Sequence, residues 1–110
     1  MYATTPYVSG STASSNAAFV TAFKAKYAGE EPESDAAGGY ITVKLLADAL
    51  SRSAGKGGQA LQDAIRATAL DTVRGRLTFD AKGQGFADFF IAQITGGKIT
   101  VFQELSLTPG

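Results

Sequence analysis

Apolar residues recur at helical spacing in three stretches of the chain, and then the period drops to two. Phe19, Val20, Phe23 and Tyr27 share one face of a predicted helix over 17–28. Asn16 or Ser15 stands where its cap belongs, and Gly29 where a left-handed stop belongs. A second helix opens at "SDAAGGY", with Asp35 or Ser34 as its predicted N-cap. Ile41, Leu45 and Ala49 make one stripe along it; Tyr40, Val43, Leu46, Ala47 and Leu50 make another. Only Thr42, Lys44 and Asp48 are clearly polar, and a helix apolar on most faces needs partners on most faces. "SRSAGKGG" breaks the pattern, and a third helix fits 59–69, with Leu61, Ala64, Ile65 and Thr68 inward.

The alternation that follows, "TVRGRLTFD", predicts one strand with Val73, Gly75, Leu77 and Phe79 on the same face. "DAKGQG" is a turn, and "FADFFIAQIT" and "KITVFQEL" flank "GG", a two-residue hairpin signal. At the N-terminus "MYATTPYV" suits the end of a strand, and "SLTPG" at the other end reads as frayed. The order is a strand end, three helices, a strand and a hairpin. This is an α/β composition, α+β as the elements run in this chain.

The costly detail is Gly38–Gly39, early in the second helix. Glycine inside a helix costs about 1 kcal/mol relative to alanine, so the pair asks what comes close enough to need it. A glycine pair admits a backbone or a ligand where a Cβ would obstruct, and can offer amides to an anionic or carbonyl group.

Composition narrows the chemistry. The 110 residues are 45% hydrophobic and 18% charged, with ten basic and ten acidic residues. Zero formal charge and the lack of any basic cluster longer than a pair argue against nucleic acid as a partner. With no cysteine and no histidine, thiolate metal sites and the commonest general base are excluded. "GKGG" lacks the first spaced glycine and the Ser or Thr of a P-loop, so it reads as a linker. Glu30, Glu31, Glu33 and Asp35 crowd one loop; a carboxylate pair in an apolar cleft can do hydrolytic work, but charges beside a proline read first as a solvated loop. Asp80 in "LTFDAKG" suits bonding its own turn's amides. Asp35 carries two readings, a helix cap or a carboxylate facing a ligand.

In order and spacing, "FKAKYAGEEP", "DAAGGYITVKLLADAL", "ALQDAIRAT", "VRGRLTFDAKGQG" and "FFIAQITGGKITVFQ" together resemble the C-terminal portion of type I periplasmic substrate-binding proteins of ABC transporters, the leucine/isoleucine/valine-binding-protein-like group. The resemblance implies two lobes closing on a small ligand such as a branched-chain amino acid or related compound. It implies a periplasmic or extracytoplasmic location, a transporter permease as partner, and no catalytic residue, cofactor or metal. Residues 1–31 would belong to the second lobe, 32–39 to the crossover and cleft edge, and 40–110 to the first lobe. Ser34, Asp35 and Ala36 match the family's ligand-facing position, and Gly38 and Gly39 would be cleft or hinge backbone. An acid at Asp35 departs from the aromatic or small residue many relatives carry, and Ile41 replaces the acid that often follows the tyrosine. The groups that hold an amino acid's carboxylate and ammonium would lie mostly upstream. Without that chain, the Tyr40–Leu50 helix would expose an apolar patch and drive a homodimer or an exchanged-segment dimer. Two other readings stand beside this one: a ligand-sensing domain of a regulator or receptor with the same fold, and a small carboxylate-based enzyme.

Overall fold

The computed structural model describes residues 1–107; the last three residues of the "SLTPG" end lie outside the described residues. The elements are β1 (Tyr2–Thr5), α1 (Asn16–Lys26), α2 (Ser34–Arg52), α3 (Gly58–Arg66), β2 (Ala69–Thr72), β3 (Gly75–Phe79), β4 (Gly85–Phe86), β5 (Phe89–Thr95) and β6 (Lys98–Leu105). They make two antiparallel three-stranded sheets, β1-β5-β6 and β2-β3-β4. The predicted α+β organisation is present. Gly96 and Gly97 join β5 to β6 with φ of 59° and 76°, the paired positive values of a tight hairpin turn whose twist matches the strands.

The stretch read as one strand is a hairpin. Thr72 pairs with Gly75, so Val73 and Arg74 form the turn. Val73 extended the alternation and disguised the reversal; the true signal was Gly75, at φ 78°. Thr72 closes the turn, its Oγ1 donating to the Gly75 carbonyl at 2.7 Å and accepting from the Arg74 amide at 3.1 Å. The third helix stops at Arg66, and Ala69 already belongs to β2. Thr68 is recruited by the junction instead: Arg52 donates to its Oγ1 at 2.9 Å and to the Ala64 carbonyl at 2.6 Å. Asp80 behaves as expected, its Oδ1 accepting the Lys82 and Gln84 amides at 2.9 Å.

The expected caps differ in detail. Ser15 flanks α1 and Glu33 flanks α2, and neither makes a side-chain cap bond. Asn16 is drawn inward instead. Its Oδ1 accepts the Tyr7 hydroxyl at 2.7 Å, and its Nδ2 donates to the Ser9 and Ser11 carbonyls at 2.8 and 3.0 Å. Ala28 takes the left-handed position after α1 at φ 56°, with Gly29 behind it at φ 83°; Ala54 and Gly55 repeat this after α2.

Tyr7, Phe19, Ala37 and Val73 form a core cluster, bordered by Val20, Phe23, Ala36 and Ile41. It joins the β1–α1 loop, α1, the start of α2 and the β2–β3 turn. Burial, with the Glu31 charge second, pushes the Tyr7 phenol up to about 12. The molecule is a slab, 49 × 36 × 19 Å, with a radius of gyration of 15.3 Å, against about 13 Å for a compact chain of this length. It exposes 6895 Å², about 1,200 Å² more than a self-contained protein of its mass would. Exposed apolar side chains lie on α2, where Val43 is 68% exposed and Leu46 and Leu50 are each 40% exposed, and on the β1-β5-β6 sheet, where Ile99 and Phe102 are exposed as well.

Replacing Asn16 strands the Tyr7 hydroxyl and two carbonyls inside the structure. Asn16→Ala is expected to lower stability by about 2 kcal/mol or more, read as a lower urea midpoint; an unchanged midpoint would mean that the asparagine ties nothing together.

Candidate functional site

The second helix begins against the end of β1. Pro32 is buried and Glu33 is extended, and the helical ladder starts where the Ala37 amide donates to the Glu33 carbonyl at 3.0 Å. The amides of Ser34, Asp35 and Ala36 precede that first bond and have no partner within the helix. Gly38 and Gly39 come after it. The expectation that these glycines offer free amides is therefore not met, because their N–H groups fall inside the ladder. A Cβ built on either glycine would meet nothing within 4 Å. Among the described residues no segment presses on the pair, and the space beside it is open.

The three predicted side chains differ. Ser34 is half-buried, with Oγ 3.3 Å from Thr5 Oγ1 and 3.5 Å from the Tyr7 carbonyl, so it ties the helix start to β1. Asp35 is exposed in the first turn and, among the described residues, makes no ion pair. Its carboxylate sits at the positive end of the helix dipole. Ala36 is half-buried and packs on the core cluster. Nearby, Glu31 pairs with Lys24, and that hydrogen bond, with a further one from Ser9, lowers its pKa. Of the loop's four carboxylates only Glu31 is in an ion pair among the described residues, and Asp35 is the one inside the first helical turn, beside a short row of amides without helical partners.

Two grooves flank α2 and α3, and neither is lined by residues 34–39. One, of about 370 Å³, runs between α2 and the β2–β3 hairpin. Tyr40 lies along it with its ring 4.5 Å from that of Phe19, and Lys44 Nζ stands 5.4 Å over the Tyr40 ring. Ser15 Oγ is buried at its wall without a hydrogen-bond partner among the described residues. The other, of about 390 Å³, lies between α3 and the β3–β4 turn, with Leu61, Ile65 and Phe79 on its walls. The sequence reading missed both, since each needs two elements distant in the chain to converge. Among the described residues no group of three carboxylates could hold a metal ion, and no helix is long and apolar enough to cross a membrane.

The fold has counterparts among solved structures. A solute-binding protein of an ABC transporter from R. palustris, solved with benzoate, superposes with a TM-score of 0.85 at 23% identity, covering 99% of this chain and 31% of that one. A leucine-binding protein from Thermotoga maritima gives 0.83 at 22% identity over 96% of this chain and 31% of its own. An ABC transporter substrate-binding protein from Desulfitobacterium hafniense gives 0.77 at 27% identity over 92% and 30%. The chain therefore spans about a third of the length of the proteins it resembles.

Because the space beside Gly38 and Gly39 is empty, alanine there removes a helix penalty without a clash. The Gly38→Ala/Gly39→Ala double variant should stabilise this chain by about 1 kcal/mol or more, visible as a higher thermal midpoint; a lower midpoint would mean that another surface already contacts the pair. That segment lies inside the span, residues 1–98, matched by the sequence model of the periplasmic binding protein family. The match covers most of the chain, and the chain belongs to that family.

Proposed function

We propose that this chain is the C-terminal portion of the extracytoplasmic solute-binding component of an ABC transporter. The whole protein binds a small carboxylate-bearing solute between two lobes and delivers it to a membrane permease. The observation that carries this reading is the family match over residues 1–98, joined to the likeness to solute-binding proteins. The surplus of exposed surface agrees with it, since a third of a two-lobed protein leaves apolar faces uncovered.

In this reading residues 1–31 belong to the second lobe, 32–39 form the crossover at the cleft edge, and 40–110 belong to the first lobe. The protein is a binder and not an enzyme. Ser34, Asp35 and Ala36 border the ligand, with Gly38 and Gly39 leaving room for it. The free amides at the helix start suit a carboxylate, whereas Asp35 suits an ammonium group. An amino acid carries both groups, and the aromatic acid benzoate only the first.

Calorimetry on the protein extended through both lobes separates these contributions. Saturable binding of a branched-chain amino acid or of benzoate is expected. Asp35→Asn should weaken the amino acid about tenfold, about 1.4 kcal/mol, and leave benzoate unchanged. Equal affinity of both forms for every amino acid would remove Asp35 from the site, and no binding of either class would remove the carboxylate reading. The 110-residue chain alone is expected to associate through its α2 face as a homodimer or an exchanged-segment dimer. A clean monomer by light scattering at high concentration would count against that face as an adhesive surface.

A further inference from the structure

The groove between α2 and the β2–β3 hairpin is a concave surface separate from the α2 start, since none of residues 34–39 lines it. Its walls are apolar at Tyr40, Ile41, Leu70 and Val73. They are also held in place. Val73 is fully buried, and the Tyr40 ring packs 4.5 Å from that of Phe19. The hairpin turn on the other side is closed by Thr72, through its bond to the Gly75 carbonyl. A concave apolar site of about 370 Å³ is in the size range that takes a small molecule, given a few polar groups to orient it.

Three charged side chains line the groove, and two already have a counter-charge. Asp48 pairs with Arg52 at 2.8 Å, and Asp71 with Arg76 at 2.7 Å. Arg52 is fixed in turn by the Ala64 carbonyl and the Thr68 hydroxyl. Lys44 is the third, and among the described residues its ammonium makes no ion pair. It stands over the Tyr40 ring, so a cation and an aromatic wall meet in one place. The groove is left with one uncompensated positive charge, which favours an anionic occupant. Ser15 Oγ, buried at the wall with no partner among the described residues, favours one that brings an acceptor. We propose that this groove binds a small monocarboxylate, with its apolar chain against Ile41, Leu70 and Val73 and its carboxylate on Lys44.

The site does not depend on the solute-binding reading, and it is not the bare face of α2. Val43, Leu46 and Leu50 do not line it. By helical geometry that stripe is centred about a third of a turn away from Tyr40, Lys44 and Asp48. A layer laid on the stripe meets a different face of the helix.

An amide chemical-shift titration of the 110-residue chain with hexanoate tests the site. Saturable shifts are expected at Ile41, Lys44, Leu70 and Asp71. Hexan-1-ol has the same carbon chain without the charge and should bind about fivefold more weakly; hexylammonium should bind more weakly still. Lys44→Gln should weaken hexanoate by about fivefold, and Lys44→Arg should keep the affinity. Protein extended through both lobes should give the same shifts. The absence of saturable shifts, an affinity unchanged by Lys44→Gln, or hexylammonium binding as tightly as hexanoate overturns the proposal. Shifts at residues 34–36 in place of these would put the carboxylate on the helix-start amides, and overturn it as well. So does loss of the shifts in the extended protein, since the groove would then be filled by the protein's own chain.

Discussion

Everything in this structure hangs on a core too small for the elements around it. Four buried residues, Tyr7, Phe19, Ala37 and Val73, gather a loop, two helices and a turn into one cluster. Asn16 completes it from inside, turning a potential cap into a cross-brace for the β1–α1 loop. Two of the four are aromatic rings, so the cluster gains area from few residues. Ala37 keeps the α2 backbone close to Phe19, and a larger residue there would push the helix away. Outside this cluster the buried apolar side chains among the described residues are Phe90 and the alanines Ala49, Ala87 and Ala92. The slab shape and the bare α2 face follow from that shortage.

Length and pattern explain much of what could be read in advance. The three helices, the Gly96–Gly97 hairpin and the Asp80 turn each carry their signal within a few adjacent residues, and each is present. The β2–β3 hairpin was hidden because Val73, a turn residue, is buried by the tertiary fold and so continues an apolar alternation. The cap position of α1 was legible at Ser15, but neither it nor the other candidate, Asn16, makes a capping bond. Asn16 has the right side chain for a helix start, but the Tyr7 hydroxyl and two loop carbonyls compete for it and hold it.

The candidate site was legible only as a position. Sequence pointed to the residues around Gly38–Gly39, and the structure displays an exposed carboxylate at Asp35, free amides over residues 34–36 and open space beside the glycines. Glycine in a helix costs stability wherever nothing uses the room it leaves. Among the described residues nothing does. In the proposed two-lobed protein, the facing lobe or the ligand would fill the gap. The same logic covers Val43, Leu46 and Leu50, whose exposure is costly in water and favourable once another layer lies on them.

The account therefore rests on α2 being an interior helix seen from outside. Hydroxyl-radical footprinting of Val43, Leu46 and Leu50 tests this most directly, comparing the 110-residue chain with the same residues in protein extended through both lobes, at dilution too great for self-association. The account predicts strong labelling in the short chain and protection in the long one. Equal labelling of these side chains in both would show that the face was never meant to be covered, and the account would be wrong.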